Sequence, residues 1–268
     1  MMTTELKKWA EEYVPKFNKL SVDFGKVYYT QSPLNELTGP AELMIVGINP
    51  AGGDGSTCLD ADGFMRGNPS WKTRFSADGK LNKDWSKFLG NAHSLLGYRN
   101  DVRCDPIDDD SKTVWTNLTP FASPKGSCDL PGELMKVGVE ALLKLIAIVK
   151  PQKIVLLGMD AFKILDRYSK TESSENVAID HLSVIENIRF EIGRIGAIPT
   201  VQISHPAGQW PVSNKFTSVF LYLHGLCEIV HDGAPVYKLK QVRETMQREL
   251  KLWVSRIAAV DGRVVKVR

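Results

Sequence analysis

The sequence predicts an α/β fold: a three-layer α/β/α sandwich with a four-stranded, mainly parallel central sheet. Four short apolar runs begin near Leu43, Val114, Ile154 and Val201, and segments of helical periodicity separate them. Strands that alternate with helices form a parallel sheet covered on both faces. With 268 residues, 43% of them hydrophobic, the chain can bury the core that such a sheet needs.

The first part of the chain predicts a helix, a strand, a long loop and a second helix. Apolar residues at α-helical spacing mark the first helix, namely Leu6, Trp9, Ala10, Tyr13, Val14 and Phe17. The strand at 43–48 leads into a segment, 50–80, so rich in Gly, Asp, Ser and Asn that we expect a long loop. A helix is expected over 82–96, and the acidic segment 105–110 is most simply a solvated loop.

The second part of the chain continues the alternation of strands and helices. We therefore predict one domain over 1–268. Its core lies at about 40–210, with helical additions at both ends, because no repeat or linker interrupts the sequence. The expected elements are a strand at 113–118, a helix ending before Pro151, a strand at 153–158 and a helix after it, an edge hairpin or added strand at 188–192, a strand at 199–204 and a mostly helical remainder.

Composition narrows the class of protein. Four cysteines without CxxC spacing indicate reduced thiols rather than a local zinc site or a disulfide framework. No apolar run approaches the ~20 residues of a membrane span, so we expect a cytoplasmic protein without a membrane partner. The net charge of +3 neither requires nor excludes DNA. Residues 60–63 match only part of a calcium loop, and we expect no metal.

Three polar residues follow predicted strands and indicate where a site would lie. Asn49, Asn117 and His205 each fall at the carboxyl end of a strand. Ligands bind at those ends in parallel α/β sheets, so we expect the three side chains to face one cleft. The first strand is followed by neither a Walker lysine nor a dinucleotide fingerprint.

Several short motifs, in order, resemble those of the uracil-DNA glycosylase superfamily. Residues 47–50 (Gly-Ile-Asn-Pro) are closest to the mismatch-specific uracil/thymine glycosylase branch, and residues 204–208 (Ser-His-Pro-Ala-Gly) resemble the superfamily's histidine loop. Residues 115–120 and 123–126 are similar to the branch's Thr-Asn segment and the turn that follows it. Residues 154–158 match the strand that precedes a helix in this fold.

The resemblance implies roles for individual residues. Asn49 would position a water molecule, and His205 would donate a hydrogen bond to the departing base. Asn117 would read the Watson–Crick edge of the base. The predicted substrate-binding residues are Gly47, Ile48, Pro50, Phe64, Asn117, Pro206 and Gly208. Of these, Phe64 would stack on the flipped base or, as the alternative, anchor the loop in the core.

DNA, duplex or single-stranded, is the partner that the resemblance implies. Lys125 would contact phosphate. Gln209 and Trp210 follow the histidine loop and would fill the gap left in the duplex, with Trp210 packing beneath the loop as the alternative. We expect a monofunctional DNA glycosylase that removes a deaminated or damaged, uracil-type base, with no cofactor and no obligatory protein partner. Ala51 and Ala207 depart from the family pattern, so a non-catalytic nucleic-acid-binding protein is one alternative. An enzyme that acts on a free nucleoside or base is the other.

Overall fold

The computed structural model describes residues 2–52, 55–96, 101–124, 129–169, 179–185 and 190–207. The predicted carboxy-terminal helices lie outside these residues. Within the described part, no helix is long and apolar enough to cross a membrane. The α-helices are α1 (Met2–Phe24), α2 (Ala61–Met65), α3 (Lys83–Trp85), α4 (Asn91–Leu95), α5 (Gly132–Val149) and α6 (Ala161–Tyr168). The strands are β1 (Leu43–Gly47), β2 (Thr113–Asn117), β3 (Lys153–Leu157), β4 (Ile179–Ile185), β5 (Phe190–Ile195) and β6 (Ile198–Ile203).

The strands form one mixed sheet in the order β2-β1-β3-β6-β5-β4. The α/β class is confirmed, and the four predicted strands are neighbours that run parallel to one another. The prediction of a four-stranded sheet is wrong, because β5 and β4 add two antiparallel strands beyond β6. The sequence analysis left an edge hairpin and a short added strand open at 188–192, and the structure has an antiparallel pair of strands there.

One side of the sheet, the helix-covered face, carries Met44, Val46, Val114, Ile154 and Leu156, all buried. Helices α1, α5 and α6 contribute buried residues to the same cluster. The predicted apolar stripe of α1 is confirmed, and Trp9 also donates from Nε1 to the carbonyl of Ala141 in α5 at 2.9 Å. Helix α1 is therefore part of the core rather than an addition to it.

The other side, the loop-covered face, carries Ile45, Trp115, Val155, Leu157, Val201 and Ile203. Short segments cover it, including a 3₁₀ helix at Pro69–Thr73 and a π-helical turn at Ser86–Gly90 between α3 and α4. Trp71, Leu89 and Ile107 project from these segments into the buried cluster. The predicted helix over 82–96 is present, with the π turn in its middle.

The segment 50–80, expected to be one long loop, contains two capped helical turns. The carboxylate of Asp60 accepts from the amide of Gly63 at 2.5 Å and begins α2. The side chain of Asn68 accepts from the amide of Ser70 at 3.0 Å and begins the 3₁₀ helix. Asp and Asn are residues that favour both turns and helix caps, so composition alone did not separate the two structures.

The acidic segment 105–110 is only in part the solvated loop that the sequence predicts. Asp108 is fully buried, where it contacts Nε2 of His93 at 3.1 Å and accepts from the amide of Cys104 at 2.8 Å. Asp110 forms an ion pair with buried Arg74 at 2.9 Å. Burial raises the pKa of Asp110 above its ordinary value, and Arg74 opposes part of that rise. The carboxylates of Asp108 and Asp110 are thus held by buried partners, whereas Asp105 at the start of the segment is exposed.

Candidate functional site

A cavity of ≈ 490 Å³ opens at the carboxyl ends of β1 and β2, within the range of about 300–1,000 Å³ that is common for ligand sites. Asn49, Asn117 and His205 all line it. Gly47 and Pro50 line it as well. The structure therefore brings together side chains that lie far apart in the sequence, at the edge of the sheet where parallel α/β proteins bind ligands.

The segment that carries Asn49 is held against the residues that follow β2. The carbonyl groups of Gly47 and Ile48 accept from the amides of Leu118, at 2.8 Å, and Thr119, at 3.2 Å. Nδ2 of Asn49 donates to the carbonyl of Pro50 at 2.8 Å and to that of Ser123 at 3.2 Å. Both amide hydrogens are thereby used, so Oδ1 is the atom of this side chain left to accept a hydrogen bond from a ligand or water.

Asn117 lies beside Gly47, its partner in the parallel register of β1 and β2. A methyl group on Gly47 would collide with Oδ1 of Asn117. Gly47 therefore leaves space for the asparagine amide at the cavity wall, and a larger residue there would displace that amide from its position. Both residues were predicted as substrate-binding, and the structure adds that the position of one depends on the other.

His205 lines the cavity, and its ring centroid lies 5.7 Å from that of Phe88. The amide of Ala207 donates to Nδ1 of His205 at 3.2 Å, so the neutral ring carries its proton on Nε2. Partial burial against the cavity wall lowers the pKa of His205 below its ordinary value, because burial disfavours the imidazolium. The histidine is thus held as a neutral ring with Nε2–H as its donor.

Three aromatic residues that the sequence analysis did not select, Tyr29, Trp85 and Phe88, also line the cavity. The hydroxyl of Tyr29 donates to the carbonyl of Gly52 at 3.1 Å, which connects the loop after β1 to the segment before it. These residues belong to segments without a motif. The available signal was an aromatic pair three residues apart in the predicted 82–96 helix.

Phe64 lies in the core and not in the cavity. It is 3% exposed, and its ring centroid lies within 6 Å of those of Trp9, Phe17 and Tyr28. The predicted stacking role does not fit this position, because the ring is enclosed by other aromatic side chains. The alternative, an anchor that fixes the loop in the core, agrees with the structure.

Two further predicted residues have structural contacts next to the site rather than in its wall. Ile48 packs against the apolar core and approaches Gly158, whose φ of 116° and lack of a side chain leave space for it. The carbonyl of Pro206 accepts from Nδ2 of Asn91 at 2.8 Å, which ties the histidine loop to α4. The other predicted residues, Lys125, Gly208, Gln209 and Trp210, lie outside the described residues.

The fold and the cavity together define an α/β protein with a candidate ligand site at the carboxyl ends of its parallel strands. No known protein family matches the sequence, and no curated protein is significantly similar to it. Among the residues that the structure describes, no group of three or more His, Cys, Asp or Glu side chains could hold a metal ion.

Proposed function

We propose that the protein is a DNA glycosylase of the uracil-DNA glycosylase superfamily, with that superfamily's three-layer α/β/α sandwich. Its reaction would be hydrolysis of the N-glycosidic bond of a deaminated or damaged, uracil-type base. One observation carries the proposal. Oδ1 of Asn49 and Nε2 of His205 remain available for hydrogen bonds at a single cavity, while Nδ2 of Asn49 and Nδ1 of His205 form hydrogen bonds with backbone groups.

Asn49 positions the attacking water in this mechanism. The transition state carries positive charge on the sugar, and water must approach its anomeric carbon. An amide oxygen accepts a hydrogen bond from water but is too weak a base to remove a proton fully. The two hydrogen bonds from Nδ2 fix the orientation of Oδ1 before the substrate arrives, so the contribution of Asn49 is positional.

His205 stabilises the departing base. The bond that breaks leaves its electron pair on the base, and Nε2–H of the neutral ring donates toward the oxygen where that negative charge develops. The hydrogen bond between Nδ1 and the amide of Ala207 keeps the ring in the required tautomer. Burial lowers the pKa of His205, which favours this neutral form of the ring.

An aromatic wall formed by Tyr29, Trp85 and Phe88 provides the surface for the base. A base inside a duplex must be extruded before an enzyme can reach its glycosidic bond, and the extruded base stacks on aromatic side chains. All three residues line the cavity that Asn117 and His205 share, which makes them better stacking candidates than Phe64. Lys125, Gln209 and Trp210 remain the predicted contacts to the DNA itself.

The test is base excision from oligonucleotides that contain uracil, mismatched thymine or hypoxanthine, read out as strand cleavage by alkali. Asn49→Ala should abolish most of the rate and leave DNA affinity nearly unchanged, because its role belongs to the transition state. His205→Ala should slow excision by about 10²–10³-fold. Asn35→Ala, at an exposed position, is the matched control and should have no effect.

Three results would overturn the proposal in different ways. Salt-sensitive DNA binding without abasic-site formation would indicate the non-catalytic binding protein. Cleavage of free deoxyuridine with no affinity for DNA would indicate the nucleoside enzyme. A protein–DNA adduct trapped by borohydride would mean an amine nucleophile, and the water-based role of Asn49 would have to be abandoned.

A further inference from the structure

A second cavity, of ≈ 410 Å³, adjoins the cavity of the candidate site. Tyr29 lines both of them, so the two cavities share a wall. Their charges are opposite in sign. Asp84 is the charged side chain at the candidate site, whereas Arg66 and Lys72 line the second cavity and no acidic residue of the described chain does. The second cavity therefore favours an anion.

The 3₁₀ helix on the loop-covered face forms the ridge between the two cavities. Side chains three positions apart lie on the same side of such a helix. Pro69 and Lys72 line the second cavity, whereas Ser70 and Thr73 line the candidate site. Trp71, which lies between these pairs in the sequence, is buried in the core. A ligand with parts in both cavities therefore has to cross this one short helix.

The ridge is fixed to the sheet through the segment that precedes β1. The amide of Asn68 donates to the carbonyl of Gln31 at 3.2 Å, and the amide of Ser32 donates to the carbonyl of Trp115 in β2 at 3.0 Å. Gly67 has a φ of 73°, and a methyl group on it would collide with the backbone of Ser32. The close contact of the two segments depends on that glycine. The basic residues of the second cavity thus extend from a backbone that is held next to the candidate site.

Both basic side chains of the second cavity are exposed and available to a ligand. The guanidinium of Arg66 has no hydrogen-bond or ion-pair partner among the described residues. Nζ of Lys72 contacts Oε1 of Glu36 at 3.6 Å, but these side chains are 57% and 45% exposed, and an ion pair in solvent contributes little. The carboxylates of Asp60 and Asp62 are used elsewhere, by the amide that begins α2 and by a lysine of α1 at 3.8 Å. A phosphate can therefore approach both cations.

We propose that the second cavity binds a phosphate group of the DNA strand whose base occupies the candidate site. This inference rests on the proposed function, which supplies that strand, and it adds Arg66 and Lys72 to the predicted phosphate contact at Lys125. A guanidinium donates two hydrogen bonds to one phosphate, and the lysine adds a second positive charge. Asp84 repels phosphate from the candidate site. The charges therefore orient the strand, with the base on one side of the ridge and the phosphate on the other.

The experiment measures binding of the full-length chain to a single-stranded oligonucleotide with one deoxyuridine, by fluorescence anisotropy at several salt concentrations. Arg66→Ala should weaken binding about tenfold at low salt, because it removes a hydrogen bond between charged groups. Arg66→Ala combined with Lys72→Ala should flatten the slope of log affinity against log salt by about 0.7, the value for one phosphate of a single strand. Arg66→Lys should keep the slope and lose part of the affinity, because it retains the charge but not the paired donors.

A neutral methylphosphonate, placed at one linkage of the oligonucleotide at a time, locates the phosphate. At one linkage beside the deoxyuridine the wild type should lose about tenfold in affinity. Arg66→Ala should lose little there, because the same contact is already absent. Lys112 provides the matched control, since it is an exposed lysine that contacts Glu42 at 3.8 Å, just before β2 and at the opposite end of that strand from both asparagines. Lys112→Ala should retain the salt slope and the methylphosphonate effect, and thermal unfolding shows whether each variant is folded.

The outcomes separate this inference from the proposed function. An unchanged affinity and salt slope in the folded double variant overturn the phosphate site, even if the protein excises uracil. A methylphosphonate effect that is equal in the wild type and Arg66→Ala overturns it too. If deoxyuridine monophosphate binds as tightly as the oligonucleotide and depends on Arg66 in the same way, the site belongs to a free nucleotide and the assignment to a strand is overturned. Coupling between Arg66 and one linkage, in a protein that excises nothing, supports the phosphate site and removes only the glycosylase reaction.

Discussion

The helix-covered face and the loop-covered face of the sheet are stabilised by different interactions. Helices α1, α5 and α6 satisfy most of their own backbone groups and present apolar stripes to the sheet. On the other face the cover consists of short segments, and buried side chains supply hydrogen bonds that a long helix would provide internally. Arg74 donates to the carbonyls of Trp71 and Asp108, and Trp115 donates to that of Ile107.

This difference indicates how the protein combines a stable core with a binding cavity. Segments of irregular backbone can line a cavity with varied side chains, whereas a long helix commits one face to regular packing. The loop-covered face carries Trp85 and Phe88 at the cavity, and its shape depends on buried polar contacts. The two faces should therefore respond differently to substitution.

The largest effect is expected where a buried polar pair is broken. Asp108→Ala should lower the free energy of unfolding by about 3–5 kcal/mol, because it removes the buried carboxylate that contacts His93 and the amide of Cys104. Asp105→Ala, at an exposed position in the same acidic segment, should change it by less than about 0.5 kcal/mol. Urea denaturation measures both. Equal values would show that the segment behaves as the solvated loop that the sequence indicated.

The next largest effect is expected from conservative substitutions, which should lower the free energy of unfolding more on the loop-covered face than on the helix-covered face. Trp71→Phe keeps an aromatic ring on the loop-covered face but removes the donor to Oδ1 of Asp110, at 3.0 Å, and should cost about 1.5–3 kcal/mol of unfolding free energy. Leu142→Met on the helix-covered face conserves volume and should cost less than about 1.5 kcal/mol. Thermal and chemical denaturation would contradict the comparison if Leu142→Met proved the more damaging change.

The pH dependence of activity should come from the loop-covered side. His205 has a lowered pKa, so its neutral form predominates above the ordinary value and is lost as pH falls through the lowered one. Protonation puts a hydrogen on Nδ1 facing the amide of Ala207 and breaks the contact that orients the ring. The excision rate should be constant at neutral pH and fall about tenfold per pH unit below the lowered pKa of His205.

His205→Gln should remove this acid limb from the rate profile. On the helix-covered face, burial raises the pKa of Tyr13 and raises that of Tyr28 to about 12, so neither titrates in the same range. An acid limb that persists in His205→Gln would assign the titration to another group.

The smallest effect is expected on the outer surface of the helix-covered face. Lys144 contacts Glu12 at 2.8 Å, with both side chains more than 40% exposed, so Lys144→Ala should cost less than about 1 kcal/mol. Raising the salt concentration should reduce even this difference. A cost near that of Asp108→Ala, measured by the same denaturation, would remove the contrast between exposed and buried pairs.

Elements with a clear pattern of apolar residues could be predicted from the sequence. The α1 and α5 stripes bury residues at α-helical spacing, and the four parallel strands are short apolar runs that helices separate. The placement of Asn49, Asn117 and His205 at strand ends followed from the same elements. Their meeting at one cavity depends on the parallel register of the strands, which the alternation of strands and helices indicated.

The remaining features depend on contacts between distant segments. Asp108 is buried because His93 and the amide of Cys104 meet it, and no local pattern in an acidic run marks that partnership. Gln31 enters the cavity wall because Ser32 pairs with Trp115, far along the chain. The two roles considered for Phe64, stacking and anchoring, could not be separated from the sequence for the same reason, since the aromatic side chains that enclose it come from several segments.

The π-helical turn at Ser86–Gly90 has a consequence for changes in chain length. It lies between Trp85 and α4, where Asn91 donates to the carbonyl of Pro206. Removing one residue here would rotate everything after it by about 100° around the helix axis relative to everything before it. The aromatic wall and the histidine loop would then lose their common alignment. Single-residue insertions and deletions should therefore be tolerated far less in this segment than substitutions at its exposed positions.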